Sequence, residues 1–479
     1  MGKSQLKGKK MFKSAGIKKK YEDRFRRYIT AMNGGTPDRI PIRFLYQEAA
    51  ARYAGLPNQQ VACDYQLAFE CTRKMAEEMG NDAVMLNAIW SNYGLAKSAS
   101  WKYLYCPGVD VDIKSVNQFG EPADKKNLFM LENEYDEFSE DPTAFLFTKW
   151  FPRATTRLVN IGEPVTMDHN VALISGALAY ANYMNAFGPA AEKLKYESGV
   201  VSANSGMIKA PLDILADKFR GYIDTAIDTI ERPEDVLKAC EALIPHIIAN
   251  ALGSADPDKK VPVTIWAHRG CIPFFTRKTF DTIFWPTLKP VFEEIISKGY
   301  QILFYGEGNW EAHYETLKEL PTGSLIYHLD KGDPLTCAKA FKGKFAISGG
   351  VRYEILARGN ENDVRNHLKE LFAVMKPEGG YILDASALML NDINPQNVKT
   401  AIEYTMENGV YSQGGNSLIR EYSRPQQINP GKRIPNTVRP WEIESASYRC
   451  LSGDVNFVRE KWEANDAAAY NYLWTTVLW

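Results

Sequence analysis

Histidines and carboxylates in this sequence recur at one kind of place, the end of a short apolar run. They are Asp168 with His169, His268, Glu307, His328, and Asp384 with Ser386. Converging imidazole and carboxylate groups build a metal site. Glu307 ends an apolar run between Gly306 and Gly308, and a carboxylate there is costly unless paired or bound to a cation. His328 ends Leu325-Ile326-Tyr327-His328, with twenty residues between it and Glu307, room for a helix and its loops. Neighbouring parallel strands lie about 4.8 Å apart, so the two are expected to reach one ion. The alternative is a polar pair capping the strand ends. Asp384 ends Tyr381-Ile382-Leu383-Asp384 and either completes that metal shell or is a hydrogen-bonded strand-end aspartate.

The remaining candidates read as substrate contacts or as structure. His268 precedes Arg269-Gly270-Cys271 and reads as a substrate-contacting or structural histidine ahead of a ligand. Arg269 suits an anionic substrate, and Cys271 reads as a buried structural thiol ahead of a ligand. Tyr305 and Phe274 are candidates to stack on an aromatic ring, with core packing as the alternative. His313 is expected at the surface or behind the site; His246 and His367 fall inside helices and read as structural.

Those residues need a frame. From about residue 164 short apolar strands alternate with helix-length amphipathic stretches. The strand candidates are 165–168, 200–203, 261–268, 301–307, 324–328, 345–349 and 380–384, with earlier ones leading through Leu45 and at 82–86. Helices are expected at 20–32, 65–80, 230–252, 280–298, 309–320 and 361–375. Buried strands alternating with helices imply a parallel sheet. Nine candidates are one more than a (β/α)8 barrel needs, so one is superfluous. A barrel is favoured over an open doubly wound sheet, because no GxGxxG turn follows the first strand. Chemistry in such barrels sits at the C-terminal strand ends, where these residues stand. The frame divides into a basic arm over 1–35, a barrel over 36–405 with a hairpin-type insertion at about 95–160, and a C-terminal extension over 406–479 that packs on the barrel or on a second subunit.

The charged residues nearly cancel, leaving a net charge of −1, which argues against nucleic acid as a partner. No run of eighteen apolar residues is present, so no membrane span is expected. The lysine-rich N-terminus, with Lys18, Lys19 and Lys20 among others, has no apolar stretch after it. It reads as a solvated arm ahead of a docking arm. The seven cysteines are scattered with no CxxC pair, which fits a reducing cytoplasm.

Several segments resemble one known superfamily. Ala210-Pro211-Leu212-Asp213-Ile214-Leu215-Ala216-Asp217-Lys218-Phe219-Arg220-Gly221, Phe284-Trp285-Pro286-Thr287-Leu288 and Gly379-Gly380-Tyr381-Ile382-Leu383-Asp384 resemble uroporphyrinogen-decarboxylase-like proteins of anaerobes. So do Asp392-Ile393-Asn394-Pro395-Gln396-Asn397-Val398 and Pro37-Asp38-Arg39-Ile40-Pro41. The decarboxylase itself is a poor match, because Arg43-Phe44-Leu45-Tyr46-Gln47-Glu48 stands where an arginine-rich signature is expected. The thiol-methylating branch has His-x-Cys where this chain has Tyr305-Gly306-Glu307. The resemblance to ether-cleaving O-demethylases implies Glu307 and His328 as catalytic zinc ligands; from the residue reading Asp384 is expected as a further ligand, and His268, Arg269 and Tyr305 as substrate contacts. It also implies a small-molecule methyl donor, a methoxylated aromatic, and a corrinoid supplied by a partner protein, since no Asp-x-His-x-x-Gly segment is visible. A decarboxylase-like lyase, a methylcobalamin:thiol methyltransferase and a non-catalytic tetrapyrrole-binding protein stay open.

Overall fold

The computed structural model describes residues 11–86, 93–116, 118–122, 128–160, 162–412 and 437–478. Eight parallel strands form its centre: β1 (Arg43–Phe44), β2 (Ala83–Val84), β3 (Val201–Ser202 continuing as Ser205–Lys209), β4 (Val263–Ala267), β5 (Ile302–Asn309), β6 (Leu325–Lys331), β7 (Ala346–Gly349) and β8 (Tyr381–Ile382). β3 joins two sheets. Its first half pairs with β2 (Val201 beside Ala83), and its second half pairs with β4 (Ser205 beside Val263). A bulge at Gly206, whose φ is +58°, lies in that second half. Any side chain there would be strained, and its Cβ would lie 3.0 Å from Ser254 Oγ.

The ring closes between β8 and β1. Ile42 bridges Leu383 in parallel; the Arg43 amide donates to the Leu383 carbonyl and the Leu383 amide to the Pro41 carbonyl, each at 2.9 Å. Strand order around the ring is sequence order, as a (β/α)8 barrel requires.

The superfluous strand of the sequence reading is 165–168. Val165 and Thr166 precede the long helix Met167–Ser198, and Thr166 caps it, its Oγ1 accepting from the His169 amide while the His169 ring accepts from the Thr166 amide. The N-cap chemistry prevails over a local alternation of apolar and polar residues. Asp168 and His169 are therefore not strand-end residues. Asp168 is exposed and pairs with Arg157 at 2.6 Å.

Side chains of alternate strand residues fill the barrel. Leu303, Ile326, Ala346 and Ile382 form a floor, and Tyr28 and Met32 of the helix Ala15–Met32 plug it from below. Tyr28 donates to the Ala203 carbonyl at 2.8 Å. The arm is thus partly structural, while Lys18, Lys19 and Lys20 on the same helix stay exposed. Lys3, Lys7, Lys9 and Lys10 of the expected arm lie outside the described residues.

The insertion holds one short hairpin, Leu104–Tyr105 with Gln118–Phe119; its other described elements are short helices such as Tyr135–Glu140 and Phe151–Ala154. The expected series of hairpins is corrected to that extent. The helix Pro233–Gly253 is long and apolar enough to cross a membrane, yet it packs in the barrel wall with Val236, Leu243 and Ile247 buried. The C-terminal extension ends in the helix Val455–Leu478, whose Tyr470, Leu473 and Trp474 are buried in this chain's own core.

Candidate active site

Pleating places successive layers of side chains above the barrel floor. Trp266, Tyr305 and His328 occupy register positions side by side on β4, β5 and β6. Their rings stack, Trp266 on Tyr305 at 4.1 Å and Tyr305 on His328 at 3.8 Å between centroids. Two residues further along the same strands and faces stand His268, Glu307 and Asp330.

His328 and Glu307 therefore sit in different layers and hold different partners. His328 is fully buried. Its Nε2 lies 3.1 Å from the Ser386 carbonyl oxygen, which can only accept, so Nε2 carries the proton. Its Nδ1 meets Ser348 Oγ at 3.2 Å and Arg43 at 3.4 Å. Arg43 in turn donates to Asp384 Oδ2 from Nε at 3.0 Å and from a terminal nitrogen at 2.6 Å. Burial opposes charge on Arg43, but Asp384 outweighs it and keeps the guanidinium charged. Burial holds His328 well below its usual range, and Arg43 adds to this.

These neighbours decide how Glu307, His328 and Asp384 fit zinc. A guanidinium stands among the three, both nitrogens of His328 are engaged, and Asp384 is spent on Arg43. A second cation there would meet like charge in a dry site. Among the described residues no three His, Cys, Asp or Glu side chains converge as metal ligands. As arranged, the set does not fit zinc.

Glu307 instead accepts from Trp266 Nε1 at 2.7 Å and meets His268 Nδ1 at 2.8 Å. The other nitrogen of His268, Nε2, is buried without a hydrogen-bond partner, 3.8 Å from Asp217 Oδ2. Burial and Lys209 oppose charge on His268, but Glu307 and Asp217 outweigh them and raise its pKa above 6.5. Burial pushes Glu307 upward, and His268 more than offsets it, so its pKa is lowered. The Glu307 carboxylate can only accept, so Nδ1 carries a proton, and the raised pKa favours a second proton on Nε2, which makes that edge an N–H donor when the ring is protonated.

Apart from Arg269, the surrounding ring of charge was not legible as a site. Lys209 at the end of β3 pairs with Asp217 at 2.9 Å. Asp213 accepts from the backbone amides of His268 and Arg269 at 2.8 and 3.0 Å, fixing the turn after β4. Burial raises the Asp213 pKa to about 7. Arg269 pairs with Glu121 of the insertion and lies over the Tyr222 ring at 4.6 Å. Asp213, Asp217 and Lys218 stand in the Pro211–Gly221 stretch, a helix whose last turn is π-helical, and all three are buried.

The remaining candidate residues divide. Cys271 is buried with Sγ 3.2 Å from the Glu307 carbonyl, and burial pushes its thiol up to about 11. Phe274 is exposed at the rim. His313 is not at the surface: it is buried and stacked on Phe280 at 3.6 Å. His246 and His367 are buried within helices, as expected.

Residues 172–407 match the model of the uroporphyrinogen decarboxylase (URO-D) family. A solved methyltransferase from Methanosarcina mazei is similar in fold, with a TM-score of 0.50 and 14% identity, over 80% of this chain and 98% of that one. No curated protein matches the chain. The family match begins in the long helix before the second half of β3. It takes in the turn holding Asp213, Asp217 and Lys218 as well as His268, Glu307, His328 and Asp384. Arg43 lies before it.

Proposed function

We propose that this chain is a methyltransferase that cleaves a methyl ether, with His268 as the acid that protonates the departing oxygen. The observation that carries the reading is the His268–Glu307 pair with Nε2 buried and without a hydrogen-bond partner at the barrel mouth. An ether oxygen is a poor leaving group unless its developing charge is neutralised. A positioned imidazolium does this by proton transfer, a contribution of about 10²- to 10⁴-fold. Glu307 holds Nδ1 and keeps the ring charged, and Trp266 fixes Glu307. The M. mazei neighbour supports the methyl-transfer class. The methyl acceptor is a reduced corrinoid, cob(I)alamin carried by a separate protein, which supplies the nucleophilic electron pair. Exposed Ile272 and Phe274 beside the mouth give an apolar rim for that partner to rest on.

The test incubates the chain with cob(I)alamin and a panel of methoxylated aromatics and measures phenol release, alongside elemental analysis for zinc. Phenol release that requires His268 supports the reading. Stoichiometric zinc lost on Glu307→Ala and His328→Ala would instead restore the metal assignment.

Lys209, Lys218 and Arg269 near the mouth favour a second reading, a lyase acting on a carboxylated ring. Carbon dioxide release without methyl transfer distinguishes it.

A further inference from the structure

The long helix Met167–Ser198 has one face inside the chain, where Ala172, Gly176, Tyr183 and Leu194 are buried. Its other face is apolar and open. Met167, Val171, Ile174 and Leu178 are exposed at 82%, 45%, 60% and 59%, and Val165 just before the helix at 64%. These four helical positions follow one another at steps of four, three and four residues. That spacing is the seam of a coiled coil, which is built to face a second helix. Exposed Ala181 and Asn185 continue it by steps of three and four. From Asn170 to Ala191 the helix carries no charged side chain.

Further along, the same face opens into a groove. Asn182, Asn185, Ala186 and Pro189 of this helix line it with Tyr65 and Phe69 of the helix Tyr65–Met79, and its volume is about 460 Å³. One surface thus offers protruding apolar side chains at one end and a groove at the other. Met167 and Asn185 lie nine residues to either side of a level midway between Ile174 and Leu178. A two-fold axis at that level sets the helices of two copies antiparallel. Ile174 of one copy then faces Leu178 of the other, Val171 faces Ala181, and Met167 reaches Asn185 at the mouth of the groove. Each of these contacts forms twice.

Charge and shape select the occupant. A face without charge meets a copy of itself free of like-charge repulsion, whereas a charged rim would favour a partner of opposite sign. Helices that lie on membranes carry basic residues beside their apolar face, and the stretch from Asn170 to Ala191 has none. A protrusion and a groove equidistant from one level form the self-complementary surface of an isologous dimer. The geometry points to a homodimer of this chain, closed by antiparallel pairing of the two Met167–Ser198 helices about an axis between Ile174 and Leu178. The seam from Met167 to Pro189 is about 33 Å long and one helix diameter, about 10–12 Å, wide. That is roughly half of the ~800 Å² per partner buried in a stable interface, and the two reciprocally entered grooves enlarge it. Such a modest interface should assemble at about 10 µM chain. The pairing is independent of the reaction proposed above.

The experiment is sedimentation velocity of the full chain from about 1 µM to about 200 µM, a range that spans this constant. The expected result is a mass that rises from one chain to two. Ile174→Lys and Leu178→Glu, each alone, should raise the dissociation constant about a hundredfold or more and stay monomeric, because each buries a charge without a partner. An equimolar mixture of the two variants should dimerise again, since the introduced lysine of one copy then faces the introduced glutamate of the other. That rescue also shows both variants to be folded. A single-chain mass at every concentration, a dimer indifferent to either substitution, or variants that the mixture does not rescue would overturn the proposal. So would binding of the monomer to phosphatidylcholine vesicles that Ile174→Lys abolishes, which would make the occupant a lipid surface.

Discussion

His268 and Glu307 form a pair with one side open: Nδ1 lies 2.8 Å from Glu307 Oε2, while Nε2 has no hydrogen-bond partner. Glu307 raises the pKa of this histidine, and the other edge of the ring is left without a hydrogen-bond partner. Glu307 therefore acts through His268, as a positioning residue.

That coupling fixes a pH dependence. The pKa of His268 is raised above 6.5, so the imidazolium's contribution to stability is complete below 6.5 and is lost as pH rises through the higher folded value. Activity as an acid should fall over the same rise. Glu307→Gln removes the largest favourable influence and should move the fall to lower pH, whereas His268→Asn should lower turnover about 10²- to 10⁴-fold without a comparable shift. A pH–rate profile with an NMR titration of the histidines checks both. An unmoved profile in Glu307→Gln would show that the pair does not govern the reaction.

Arg43 and Asp384 give a prediction about stability. Both are buried, and Arg43 also touches Ser348 and His328. Removing one partner of a buried pair costs about 3–5 kcal/mol, while replacing both with apolar groups is often close to neutral. Arg43→Met should thus be strongly destabilising, and Arg43→Met combined with Asp384→Leu should recover much of the loss in urea unfolding. A single variant as stable as the double one would mean that the charges are not coupled. The outcome also bears on the zinc expectation, because a true ligand Asp384 would need no guanidinium.

The strand ends of the barrel were readable because burial on both faces makes parallel strands apolar and lets the terminating polar residue stand out. His268, Glu307, His328 and Asp384 were found that way. Pairing among them was not readable, because it depends on pleat depth: His328 and Glu307 stand on neighbouring strands but lie a layer apart. Arg43 precedes two apolar residues at the start of a short strand, and nothing in its local pattern marks it as the partner of a residue 341 positions away. Asp213, Asp217 and Lys218 sit in a stretch noted only for its family resemblance, and nothing in its local pattern marks the three as buried. Only the fold shows that the barrel wall, the insertion and the C-terminal helix close over it.

The C-terminal helix supplies the last prediction. His246 stacks on Trp474 with 3.7 Å between ring centroids and shares a hydrogen bond with Tyr470 at 2.6 Å. Burial lowers its pKa from 6.5 to about 3, so the folded chain holds the ring neutral. For a histidine depressed in this way, the stabilisation is complete above 6.5 and is lost as pH falls towards the folded value, because the unfolded state gains the proton first. Between pH 7 and pH 5 this one group should cost about 2 kcal/mol, at 1.36 kcal/mol per pKa unit. Combining His246→Phe with Tyr470→Phe keeps the ring stack on Trp474 and removes both polar partners. Urea unfolding of that variant should lose less stability between pH 7 and pH 5 than the parent, by that amount. Buried His328 and His313, whose pKa values are also lowered, leave a residual slope in both proteins. Equal acid slopes in variant and parent would show that the C-terminal helix opens from Pro233–Gly253 before His246 titrates.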